Sequence, residues 1–258
     1  IHKQIQMLSH EEERILQHAS VEGEEFTSTV LARLLECDEL WIEERLATIE
    51  KTHRLIQRLA EEELPDGTVA TRYRFKHALY QNLIYETVLT RRRGLLHRRA
   101  GEELLHQYGE QSGRVASKLA THFELCREYV KAIEFLIVMG DNARGMFENA
   151  AAVAHYTKCL GLLQKIPSTQ RSAKELEVHN KRGSAFVSLG QLSDAEAAFS
   201  EMLRGARASG RTHEECVALN ALANVYMYAH RVDEMRVCAV EGLKTADAMG
   251  EPALRSEA

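Results

Sequence analysis

The residues with the most chemical potential stand where the periodicity of the chain changes. Tyr73 and Phe75 alternate with Arg72 and Arg74 as strand residues do, whereas Leu79, Leu83 and Ile84 follow helical spacing. His77 falls between the two. An imidazole at the end of a strand can leave the core and face outward from a rigid edge, towards something bound by a neighbouring domain, or it can be satisfied inside the junction. His97 follows within an arginine-rich helix and is expected to pack or bond inside the junction. His122 and Cys126 lie one helical turn apart and could share an ion. Two ligands are too few, and both fit a helix stripe, so core packing is expected. The sequence contains no Gly-x-x-x-x-Gly-Lys-Ser/Thr loop, no His-Glu-x-x-His, no cysteine cluster and no nucleophile–base spacing. This segment is therefore expected to be no enzyme and to hold no metal or cofactor of its own.

The chain has 258 residues, 28% of them charged, and a net charge of −5, which gives it no broad attraction for nucleic acid or an anionic membrane. Three prolines and few aromatics favour long helices over a β-sandwich. The scattered Cys37, Cys126, Cys159, Cys216 and Cys238 read as reduced thiols of a cytoplasmic protein. A start on Ile1 and a close within the helical pattern of Leu254-Arg-Ser-Glu-Ala258 read as a piece of a longer protein.

The elements that must hold His77 come first. Ser9-His-Glu-Glu12 is a capping box, and Leu8, Ile15, Leu16 and Ala19 form a helical stripe behind it. A loop containing Gly23 leads through Phe26-Thr27 to a second helix marked by Val30, Leu31, Leu34 and Leu35. Asp38 caps a third, with Leu40, Ile42, Leu46 and Ile49 inward. Leu55 to Ala60 alternate, Pro65-Asp-Gly67 turns the chain, and Arg72 to Phe75 return. Three helices followed by a hairpin is the order of a winged helix, expected over residues 1–90. Its third helix is acidic where phosphate contact needs Lys or Arg, so DNA binding is not expected. Trp41 reads as a core or interface anchor. A basic helix over residues 91–111 follows, its Arg91, Arg92, Arg93, Arg98 and Arg99 forming a solvated face paired with Glu102 and Glu103, and Leu95, Leu96, Leu104 and Leu105 its buried side.

Residues 112–258 read as helix pairs. Gly183 and Ala195 are spaced like Ala223 and Met235, Phe186 matches Tyr226 and Leu203 matches Leu243, each at an offset of 40. Ala120, Phe123 and Ala132 give a further copy, residues Ala143 to Leu163 a degenerate one, and Pro252 opens another. The stretch from Gly183 to Phe199 resembles the tetratricopeptide repeat, although the offset exceeds that family's usual length of about 34 residues. The fold expected is thus mostly α: a winged helix followed by an α–α superhelix of tetratricopeptide-like repeats. Such stacks usually hold peptides or protein partners on their concave face. Asn180, Arg182, Asn220 and Asn224 are the exposed positions expected to contact one.

The pattern Phe75-x-His77-x-Leu79, followed by Tyr80 and Tyr85, by Arg91-Arg-Arg and by Leu96-His97, resembles the winged-helix segment of STAND-type signalling ATPases. In that family the histidine lies where nucleotide-binding immune receptors and apoptotic ATPases carry Met-His-Asp. The resemblance implies an upstream ATPase domain in the same chain, using ATP or ADP with Mg, and an effector such as a cyclase. It makes His77 a sensor of an ADP phosphate and the repeats a sensor of partners. This chain carries Ala78 where family members carry Asp, so the backbone-ordering role of that carboxylate is missing or replaced. Two other classes stay open: a free-standing scaffold of repeats, and a winged-helix DNA-binding regulator.

Overall fold

The computed structural model describes residues 2–249, and the unit expected to open at Pro252 lies outside them. Among the described residues the chain is mostly helical with one small three-stranded sheet, and it divides into two compact units after Phe135. That division falls inside a helix, Tyr129–Gly145, whereas the sequence periodicity suggested boundaries at 90 and 111.

The first unit opens on α1 (His2–Ile5) and α2 (His10–Glu22). Ser9 caps α2 reciprocally: its hydroxyl accepts from the Glu12 N–H, and the Glu12 carboxylate accepts from the Ser9 N–H at 2.8 Å. Next come β1 (Glu25–Thr27), α3 (Ser28–Leu35) and α4 (Glu39–His53), which Asp38 caps by accepting from the Trp41 N–H. The hairpin is β2 (Ile56–Glu63) and β3 (Val69–Phe75). β1, with three residues, is too short to display a period in the sequence. It exists by pairing antiparallel with β3, Phe26 opposite Tyr73, giving the sheet order β1-β3-β2. Alternation along β2 fails beyond Arg58, where the register against β3 shifts at a bulge and Leu59 emerges to solvent.

The core of this unit gathers Ile15, Leu16, Phe26, Leu31, Ile42, Leu46, Ile49, Leu55, Ile56, Tyr73 and Phe75, with Trp41 partly buried against it. α5 (Ala78–Thr87) and α6 (Thr90–Tyr108) follow. α6 packs on α2, α3 and α7 (Ala116–Leu125). Its buried stripe is Leu96, His97, Ala100, Gly101, Leu104 and Gln107, and Leu95 is exposed, contrary to expectation. The arginines of α6 also pair differently. Arg98 reaches Glu128 at 2.6 Å, Arg99 reaches Glu36 at 2.8 Å, and Arg93 donates to the carbonyls of Val88 and Glu86. These are contacts between elements, which sequence spacing along one helix does not reveal.

The second unit continues α8 (Tyr129–Gly145) into α9 (Asn149–Leu163), α10 (Ser168–Ser188), α11 (Leu192–Ser209), α12 (Thr212–Tyr228) and α13 (Val232–Met249). Neighbours in sequence pack on one another from α9 to α13. Two glycines set the closest approaches. A Cβ on Gly140 would lie 2.4 Å from the Tyr156 ring, and one on Gly183 would lie 2.6 Å from the Phe199 ring. The same spacing separates glycine from ring in both pairs, so α8–α9 and α10–α11 are copies of one packing unit.

The turns repeat as well. Phe147, Gly190 and His230 each take left-handed backbone, and the residue after each donates its N–H to a carbonyl five residues back: Glu148 to Ala143, Gln191 to Phe186 and Arg231 to Tyr226. Arg127 and Glu128 form the same turn in the first unit, on the carbonyl of Phe123.

Candidate functional site

The backbone leading to His77 is clamped from both sides. The Phe75 N–H donates to the Glu24 carbonyl at 2.9 Å, and the Lys76 N–H to the Leu55 carbonyl at 2.8 Å. Phe75 is buried, in step with Tyr73, and His77 emerges one alternation later as the N-cap residue of α5. Its side chain makes no capping bond, and the exposed ring stands edge-on to Tyr80 with centroids 6.4 Å apart. The first unit thus presents an imidazole at a rigid strand–helix corner.

The first unit also holds a buried polar cluster. The Tyr85 hydroxyl lies 2.9 Å from His97 Nε2, and His97 Nδ1 lies 2.9 Å from His122 Nδ1. One of the facing nitrogens must donate and the other accept, so this contact needs at least one neutral ring. Burial is the main reason that His97 falls to about 4 and His122 to about 3, with Arg93 adding to the first and His97 and Lys118 to the second. His97 therefore bonds within the junction, as expected, and stands on the buried stripe of α6 beside Leu96. His122 is its partner rather than that of Cys126, whose Sγ donates to the Phe123 carbonyl. Among the described residues no group of three or more His, Cys, Asp or Glu side chains is placed to hold a metal ion.

Glu22 is the third buried member of this region and was missed in the sequence. Lys118 Nζ donates to it at 3.3 Å and the Thr27 N–H at 3.1 Å. Burial raises its carboxyl above the ordinary range, and Lys118 opposes the rise. Its position on the last turn of α2, immediately before Gly23, marked a helix end in the sequence and gave no sign of a cation 96 residues away.

In the second unit the four polar positions expected to be exposed separate into three kinds. Asn224 is exposed. Asn180 and Arg182 are half-buried, Arg182 lying over the Phe186 ring at 5.8 Å with its Nε buried and unpartnered. Asn220 is 6% exposed, which corrects the expectation, and neither its Oδ1 nor its Nδ2 has a partner. α12 buries Cys216, Ala218, Leu219, Asn220, Leu222 and Val225, a stripe wide enough to take Asn220 in. A polar residue inside an apolar run cannot disclose from the sequence on which side of the stripe it falls.

No protein-family model and no curated protein matches the chain. Among solved structures it is similar to aspartyl phosphate phosphatase F from Bacillus subtilis, at 14% identity and a TM-score of 0.47, over 86% of this chain and 54% of that one. It is also similar to a signal transduction ATPase with numerous domains (STAND) that carries a tetratricopeptide repeat sensor, from Pyrococcus horikoshii. There the identity is 13% and the TM-score 0.45, over 97% of this chain and 46% of that one. A further similarity is to BtubC (BKLC) from P. vanneervenii, at 16% identity and a TM-score of 0.41, over 67% of this chain and 81% of that one. The chain spans about half the length of the first two. Similarity at this level leaves the function to be argued from the chain's own residues.

Proposed function

We propose that this chain is the regulatory and protein-interaction segment of a nucleotide-switched signalling ATPase of the STAND kind, with no catalysis of its own. The observation that carries the interaction reading is Asn220. A buried amide with donor and acceptor both unpaired costs about 1–3 kcal/mol for each unmet group, and a bound peptide backbone supplies the carbonyl and N–H that it lacks. Arg182 on α10, with its unpartnered Nε, and the polar Asn180 and Asn224 on the same first helices extend that surface. No helix among the described residues is long and apolar enough to cross a membrane, and the partner proposed is a protein or peptide.

The order of α2, β1, α3, α4, β2 and β3, with the strand order β1-β3-β2, supports reading the sheet-bearing part as a winged helix. α4 carries Glu39, Glu43, Glu44 and Glu50, which disfavours its use on DNA. On this reading His77 faces an upstream ATPase domain and donates to a phosphate oxygen of ADP, holding the closed state; ATP and Mg belong to that domain. A charge-assisted hydrogen bond is worth about 1.5–3 kcal/mol, enough to shift a two-state equilibrium tenfold or more.

Two experiments test the two halves. A photo-crosslinking residue at position 224 should capture a partner that the same residue at position 200, exposed on α11, does not; equal capture at both sites refutes the first-helix face. In the full-length parent, His77→Ala should speed ADP release with little change in melting temperature. Unchanged exchange together with a large loss of stability would make His77 a packing residue.

A further inference from the structure

The end of α9 together with α10 and α11 lines a cleft of about 360 Å³. His179 forms part of its wall, is 8% exposed, and its Nδ1 has no hydrogen-bond partner. Burial lowers the pKa of this ring and so favours its neutral form, in which the unpartnered Nδ1 can donate or accept according to tautomer. Gly205 stands opposite, where a Cβ would meet Leu176 Cδ2 at 2.8 Å, which keeps the two helices close behind the cleft.

The charged lining is balanced in sign. Arg171 Nε lies 3.4 Å from Glu175, and its Nη1 donates to Gln164 at 2.9 Å; Arg204 Nε donates to Glu201 at 3.1 Å. Each ion pair joins residues on one helix and is part-exposed or exposed, so solvent already screens it and a ligand can exchange it at small cost. A simple anion would meet two carboxylates here, and a simple cation two guanidiniums. A molecule with one charge of each sign meets neither penalty.

We propose that this cleft binds a small zwitterion of the free α-amino-acid class, its carboxylate on a guanidinium, its ammonium on a carboxylate, and a hydrogen bond to His179 Nδ1. The volume lies at the small end of ligand sites, which run from about 300 to 1,000 Å³. The proposal stands apart from the peptide-binding face, since Asn180, Arg182, Asn220 and Asn224 do not line the cleft.

The test is calorimetric titration of the full chain with each of the twenty standard amino acids singly, and with inorganic phosphate, acetate and methylamine. At least one amino acid should bind saturably, and its N-acetylated and decarboxylated analogues should bind about tenfold more weakly or worse. His179→Phe and Arg171→Gln should each weaken it by about tenfold while the circular dichroism spectrum stays unchanged. Should His179→Phe fail to fold, Arg171→Gln decides alone, because that side chain is 30% exposed. Absence of saturable binding by all twenty, binding of phosphate alone, or undiminished affinity in the folded variants overturns the proposal.

Discussion

In the first unit Glu22, His97 and His122 lie buried with partners on other elements; in the second, His179, Arg182 and Asn220 hold buried polar atoms with none. Thr29 Oγ1 is the exception in the first unit. The difference extends to apolar packing. The sheet-bearing unit fills one core from helices and strands, whereas the helix-pair unit repeats a glycine against an aromatic ring. Satisfied polar groups cement one arrangement of elements, because each would be costly to leave unmet elsewhere. Unsatisfied ones lower stability and leave bonding capacity for something from outside.

The comparison can be broken most sharply with acid. His97 and His122 have folded-state values near 4 and 3, below the ordinary histidine value, so unfolding takes up protons. Their contribution is present above about pH 6.5 and is lost as pH falls, at about 1.4 kcal/mol per pH unit for each ring down to about pH 4. Glu22, with its raised carboxyl, acts in the opposite sense, losing its contribution as pH rises above the ordinary carboxylate range. Urea unfolding followed by the fluorescence of Trp41, the single tryptophan, should therefore show a steep loss between pH 7 and 5. A His97→Gln/His122→Gln double variant should flatten that limb.

Overpacking is the counterpart in the second unit. Gly183→Ala places a methyl 2.6 Å from the Phe199 ring and should cost about 1–3 kcal/mol. In the first unit, Gly101→Ala meets the Phe123 ring at 3.1 Å and should cost less. Far-ultraviolet circular dichroism during thermal unfolding, set beside Trp41 fluorescence, reads both. A Gly183 variant that melts like the wild type would mean that the ring gives way freely.

Asn220→Leu addresses the polar contrast directly. A similar-sized apolar side chain removes two unmet groups, so stability should hold or rise by up to about 1 kcal/mol while partner capture falls. A clear loss of stability would mean that the amide is satisfied. The smallest effect is expected at the turn of α8 and α9, where Phe147 is 89% exposed at φ 62° and Gly190 occupies the equivalent place between α10 and α11. Phe147→Gly relieves left-handed strain but adds freedom to the unfolded chain, for a net gain of about 0.5–1 kcal/mol in chemical denaturation.

Local chemistry was legible in the sequence wherever one segment completes it. The Ser9–Glu12 box, the Asp38 cap, the Pro65-Asp66-Gly67 turn and the paired helices all appear, because each is written within one helical turn or one repeat period. At His77 the sequence left two placements open, a ring facing outward or one satisfied inside the junction, and the tertiary structure leaves it exposed as the N-cap residue of α5. Tertiary structure alone decided the rest. β1 exists through pairing with β3; Glu22 meets Lys118, and His97 meets His122, across gaps that no periodicity spans; Asn220 is drawn inside a stripe that its neighbours define. Periodicity records which face of an element is apolar. It carries no information on which element covers that face, and burial, pairing and the protonation of buried groups all depend on that.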